Sequence, residues 1–185
     1  MRDSIVRRDH AAMRWVAARR RRPLTLALAV LTYTGAGAVW GISAAALALL
    51  CRFDLRILAR QETVLAAMFG AGLSLIVGQI VKRLVRRPRP FDVLDDAPVA
   101  IPPPTDPSFP STHTSTAIAL LVGLWLTGHP LAPWVTPWAL ALPLTRFYLG
   151  AHYPTDVLAG AALGALFGLV DYTPVMVWAL SLGPG

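Results

Sequence analysis

The sequence predicts an all-α fold, a polytopic membrane bundle of about five transmembrane helices, on three observations. Hydrophobic residues make up 55% of the 185-residue chain and charged ones 15%, and the mean hydropathy of +0.54 is too high for an ordinary soluble domain of this length. The apolar residues fall in runs long enough to cross a bilayer core. Basic residues collect at the ends of those runs, where they meet lipid headgroups and set topology. That placement assigns the +7 net charge to membrane lipids rather than nucleic acid. The single cysteine, Cys51, excludes an intramolecular disulfide, and no CxxC or paired-histidine spacing points to a metal. Neither metal nor cofactor is expected.

Residues 1–22 carry eight arginines, with Ile5, Val6, Met13, Trp15 and Val16 between them, and read as a basic interfacial helix. Residues 23–185 read as one transmembrane domain. Its first apolar run, 24–50, is 27 residues, about 40 Å as a helix and too long for a signal peptide core. A short link at 51–61, with Arg52, Arg56 and Arg60, leads to a second apolar run at 63–81, about 28 Å long. Residues 86–110 hold eight prolines, so no regular helix continues through them, and a loop of that length in a compact protein is more often functional than filler. A third helix is expected at 111–126, then a Gly128-His129-Pro130 turn, a fourth helix at 134–149, and a fifth starting near Pro154. Gly160, Gly164 and Gly168, four apart, form a small-residue ridge for another helix. Asp171 lies roughly 22 Å beyond Asp156 and is placed near the opposite interface. The six tryptophans fit interfacial belts or helix packing.

This topology brings three distant clusters to one membrane surface: Lys82 with Arg89, the run Pro110-Ser111-Thr112-His113, and the stretch 145–156 with Arg146, His152 and Asp156. An ionised side chain near lipid costs several kcal/mol, so such a concentration reads as a site. Two guanidinium groups and an ammonium surround a tetrahedral oxyanion, and a helix N-terminus adds N–H donors and a favourable dipole. The implied ligand is phosphate or a close analogue. A neutral histidine oriented by a carboxylate is a competent nucleophile toward phosphorus, and a second histidine serves as acid and then base. Arg83, Arg86 and Arg87 are read as contacts to anionic lipid.

The pattern Lys82, six residues, Arg89-Pro90; Pro110-Ser111-Thr112-His113; Thr145-Arg146, five residues, His152, three residues, Asp156 resembles the type 2 phosphatidic acid phosphatase (PAP2) family, membrane lipid phosphatases related in fold to vanadium haloperoxidases. The motifs span 82–156 in the family's order. The resemblance implies a PAP2/haloperoxidase-like core with its active-site loop at 82–113. It implies His152 as a nucleophile forming phosphohistidine, Asp156 as its orienting carboxylate and His113 as general acid. Lys82, Arg89, Ser111, Thr112 and Arg146 become the phosphate-binding set. Thr112 stands where the family usually has glycine, and Thr145 where it has serine. The common architecture has six spans against the five expected here.

The function these readings imply is a metal-independent integral membrane lipid phosphatase. Its candidate substrates are polyprenyl diphosphate, phosphatidic acid, phosphatidylglycerol phosphate and a polyprenyl-phosphoryl sugar phosphate. The N-terminal arginines place the N-terminus and the active site on the cytoplasmic side of the inner membrane, which favours the last of these. Two alternatives from other classes are a non-catalytic protein that binds anionic lipid and a vanadate-dependent oxidoreductase.

Overall fold

The computed structural model describes residues 2–35, 39, 41–43, 45, 46, 49 and 60–182. Their helices are α1 (Arg2–Ala17), α2 (Arg22–Tyr33), α3 (Gln61–Val85), the single turn α4 (Pro90–Val93), α5 (Thr112–Leu126), α6 (Ala132–Tyr148), α7 (Pro154–Gly168) and α8 (Thr173–Ser181). The first expected span begins as helix at Arg22, with Pro23 in its first turn. Most of its remainder, from 36 to 50, and most of the 51–61 link lie outside the described residues. The second to fifth expected helices are present within a few residues of their expected ends. The proline-rich loop keeps only the one-turn α4, where Arg89 N–H donates to Asp92 Oδ2 at 2.9 Å.

Helix α8 is an addition to the expected elements. It leaves α7 at an angle of 57° across a break at residues 169–172. Asp171 is exposed, and its Oδ1 accepts the N–H of Thr173, the first residue of α8, at 2.9 Å. Among the described residues, the stretch Gln61–Val93 is long and apolar enough to cross a bilayer, with hydropathy 2.1, and α7 with α8 make a bent second candidate. Large apolar side chains face outward along the bundle, among them Val30, Ile76, Leu144, Leu158 and Leu166.

Helix α5 is the hub, packed against α3, α6 and α7. Its contact with α7 is the glycine ridge. A Cβ built on Gly160 would sit 2.4 Å from Ser111 O, one on Gly164 2.3 Å from Ser115 O, and one on Gly168 2.7 Å from Ala119 O. Glycines four apart thus ride on carbonyls four apart, a backbone-to-backbone approach that no side chain permits. This holds the start of α5, with Ser111 and His113, beside the start of α7, with Asp156. Gly164→Ala is expected to force the helices apart and destabilise the protein by about 1–3 kcal/mol. A lowered melting temperature in detergent checks this, and an unchanged one contradicts the account of the ridge.

Candidate active site

The three sequence clusters meet in a cavity of about 460 Å³, whose wall includes Lys82, Arg89, Thr112, His113, Arg146 and His152. Each arrives by a different route. Lys82 lies in the last turn of α3, and Arg89 precedes the turn α4. Thr112 and His113 form the first turn of α5, with Ser111 as the N-cap. Arg146 sits in the last turn of α6. The chain then reverses at Gly150, whose φ of +84° favours glycine, and His152 follows in the loop before α7.

The cations are buried: Lys82, Arg89 and Arg146 are 1%, 2% and 3% exposed. Lys82 Nζ lies 2.8 Å from Asp106 Oδ2 and donates to Pro107 O. Arg89 donates through Nη2 to Asp106 Oδ1 at 2.6 Å, through Nε to Asp106 O at 2.7 Å and through Nη1 to Ala151 O at 2.7 Å. Arg146 Nη1 donates to Thr32 Oγ1 at 2.8 Å, and its buried Nε–H has no acceptor among the described residues. Burial works against the Asp106 carboxylate, but its hydrogen bond to Lys82 and the charges of Lys82 and Arg89 hold it below the usual carboxylate range.

His152 is 1% exposed. Its Nδ1 lies 2.7 Å from Ser108 O, and its Nε2 lies 3.3 Å from Arg89 Nη1. A carbonyl only accepts and a guanidinium only donates, so both contacts specify the same tautomer: Nδ1 carries the proton and Nε2 the lone pair. Burial, then the positive charges of Arg146, Arg89 and Lys82, lower the His152 pKa well below the usual 6.5, so the imidazole is neutral. This is the protonation state and the free nitrogen that nucleophilic attack requires.

The spacing of four between His152 and Asp156 puts both side chains on one helical face only if the helix begins before His152. Helix α7 begins at Pro154, so His152 precedes the helix and does not share a helical face with Asp156. The nearest His152 Nδ1 to Asp156 Oδ2 distance is 3.7 Å, and the Ser108 carbonyl is the closer partner of that nitrogen. Asp156 Oδ2 accepts the Tyr153 N–H at 2.9 Å, and Oδ1 pairs with Arg87 Nη1 at 2.7 Å. Arg87 therefore makes internal ion pairs rather than the lipid contact the sequence suggests. Ser111 and Asp156 lie behind the cavity wall: the Ser111 N–H donates to Asp156 O at 3.0 Å, and Ser111 Oγ accepts from Thr114 Oγ1 at 3.0 Å. Thr112 tucks its methyl against α3, where a Cβ on Gly78 would come within 2.9 Å of Thr112 Cγ2.

The sequence reading missed four participants. Thr32, on α2, joins the hydroxyl of Thr145 at 3.1 Å to the guanidinium of Arg146. Thr32 is one of three threonines in its apolar run, with Thr25 and Thr34, and nothing local sets it apart. Asp106 and Ser108 lie in the proline-rich loop, where Asp106 is the one acidic residue between Pro104 and Pro110. Asp9 lies in the basic N-terminal segment, paired with Arg87.

A family model, the PAP2 superfamily, matches residues 63–179, which hold all three clusters. The chain belongs to the PAP2 superfamily. Over 116 residues it is 41% identical to decaprenylphosphoryl-5-phosphoribose phosphatase of Mycobacterium tuberculosis, a match covering 60% of each chain. Over 106 residues it is 29% identical to an undecaprenyl-diphosphatase of Bacillus subtilis, covering 55% of this chain and 54% of the relative. Each match thus spans little more than half of the relative's length. The crystal structure of a transmembrane PAP2 type phosphatidylglycerolphosphate phosphatase from Bacillus subtilis superposes with a TM-score of 0.70 at 21% identity, covering 97% of this chain and 88% of that one. The helical bundle is the PAP2 membrane fold, and the protein is a membrane protein.

In this PAP2 chain Asp106 competes for the cations that face the cavity. Asp106→Asn is expected to tighten orthovanadate binding about fivefold, roughly 1 kcal/mol, by freeing Lys82 and Arg89. Isothermal titration of the purified protein measures it. Weaker binding in the variant would show that Asp106 orients the cations instead of competing for the anion.

Proposed function

We propose that the protein is a multi-pass membrane lipid phosphatase that acts through a phosphohistidine without a metal. The observation that carries this reading is neutral His152, its Nε2 lone pair held at the edge of three buried cations in one cavity. The substrate's phosphate oxygens bind Lys82, Arg89, Arg146 and the N–H groups at the start of α5. His152 Nε2 attacks phosphorus, the bond to the leaving oxygen breaks, and His113 delivers a proton to that oxygen. His113, now the base, takes a proton from water, whose oxygen attacks the phosphohistidine; inorganic phosphate leaves and His152 returns to its neutral state. The Ser108 carbonyl holds the Nδ1–H while positive charge develops on the ring, and Asp156, 3.7 Å away, supplies a compensating negative charge.

The substrate we favour is a polyprenyl-phosphoryl sugar phosphate. Decaprenylphosphoryl-5-phosphoribose phosphatase is the relative at 41% identity. Beyond the cations, the cavity wall adds Tyr33, Gln79 and Thr116, hydrogen-bonding groups suited to sugar hydroxyls. The N-terminal arginines favour a cytoplasmic site in the inner membrane, where such intermediates are made. Residues 23–185 would form the phosphatase domain, to which the basic segment 1–22 adds a helix.

Phosphate release by the detergent-purified protein tests the reading, with a panel of polyprenyl-phosphoryl sugar phosphate, polyprenyl diphosphate, phosphatidic acid and phosphatidylglycerol phosphate. The expected result is release that survives EDTA, is inhibited by orthovanadate and falls at least 10³-fold in His152→Ala. Binding of lipid phosphate with no release would favour a lipid-binding protein. Activity that requires vanadate would favour an oxidoreductase.

A further inference from the structure

Helix α1 reaches the site through one buried carboxylate. Asp9 is 2% exposed, although it lies in an arginine-rich segment. Its Oδ2 pairs with Arg87 Nη2 at 2.7 Å and accepts from Thr155 Oγ1 at 2.5 Å, and its Oδ1 accepts the Thr155 N–H at 3.3 Å. The other terminal nitrogen of Arg87, Nη1, binds Asp156 Oδ1 at 2.7 Å and Thr155 Oγ1 at 2.7 Å. The Arg87 guanidinium also lies 4.1 Å from the centroid of the Tyr153 ring, against which His10 of α1 stacks at 5.6 Å. Met13 and Val16 of the same helix are buried with Leu94, Ala97 and Tyr153.

The geometry has a mechanical consequence. Asp156 is fully buried, and a buried carboxylate is stable only when paired. A guanidinium is a rigid planar fork, so a single Arg87 that binds one carboxylate with each terminal nitrogen sets the distance between them. Asp156 Oδ1 is held by that fork, while Oδ2 is left to the Tyr153 N–H and the His152 ring. Asp9 fixes the far side of the fork, and α1 is anchored to the protein by its apolar face. Lysine at position 87 has one nitrogen and could not hold both carboxylates in this relation.

We propose that Asp9 and Arg87 are positioning residues for phosphoryl transfer: the N-terminal helix, acting through Arg87, holds Asp156 with one oxygen turned toward His152. Helix α1 is then part of the working site, in addition to any contact it makes with lipid. This inference rests on the phosphohistidine reading of His152.

The test uses the full-length protein in detergent and the lipid of the four-member panel that the wild type hydrolyses fastest. Asp9→Asn and Arg87→Lys are each expected to lower kcat at least tenfold with KM within twofold of wild type, and Asp9→Glu to recover part of the loss. Arg14→Ala, on the same helix as Asp9, is the control. It removes the exposed pair of Arg14 with Asp96, 2.7 Å apart, and is expected to leave kcat unchanged. Wild-type kcat in both Asp9→Asn and Arg87→Lys overturns the inference, as does an equal fall in Arg14→Ala, which would indicate helix docking alone. Should Asp9→Asn fail to fold, Arg87→Lys decides by the same criterion. If the wild type releases no phosphate, or His152→Ala retains full activity, the functional reading falls and this inference with it. Release that is lost in His152→Ala but intact in both network variants overturns this inference alone.

Discussion

Burying positive charge in an apolar bundle is the constraint on which the rest of the structure depends. Lys82, Arg89 and Arg146 line one cavity and repel one another, and each would be costly to bury without hydrogen-bond acceptors. The proline-rich loop supplies them for Lys82 and Arg89, while Thr32 of α2 supplies one for Arg146. A residue without an N–H brings a carbonyl with no matching donor of its own, so a proline-dense segment has acceptors to spare. Lys82 takes the carbonyl of Pro107, Arg20 that of Pro98, and Arg89 that of Asp106. The composition that stops a helix is therefore the composition that stabilises cations beneath it.

The same loop orients the chemistry. Ser108, held by its own contacts to the carbonyls of Arg87 and Pro88, presents its carbonyl to His152. Across the site, the close approach of α5 and α7 fixes His113 and the N-terminus of α5 relative to that loop. Two structural devices, one rich in proline and the other in glycine, thus position opposite walls of one cavity.

Much of this was legible in the sequence, and the reason is geometric. The cations and histidines of the three clusters stand at the ends of apolar runs, where charge is conspicuous, and their spacing survives any small error in helix boundaries. The partners that escaped are joined only by the fold. Thr32 meets Arg146 across 114 residues and Asp9 meets Thr155 across 146, distances over which no local pattern operates. The role of Asp156 was half legible. Its spacing from His152 was visible, but the start of α7 at Pro154 decided that its closest contacts are the helix cap and Arg87. Helix α8 escaped because it is nine residues long and comes after a bend marked by no glycine or proline at the break itself.

The contact between Thr112 and Gly78 has an implication for how the pocket floor tolerates change. The methyl of Thr112 occupies the volume that a side chain at position 78 would need, so the two positions exchange space across the α3–α5 interface. A chain with glycine at 112 has room for alanine at 78, whereas this chain does not. Residue identity at the two sites should therefore drift in opposite directions among related sequences, each site compensating the other while the cations above them stay in place.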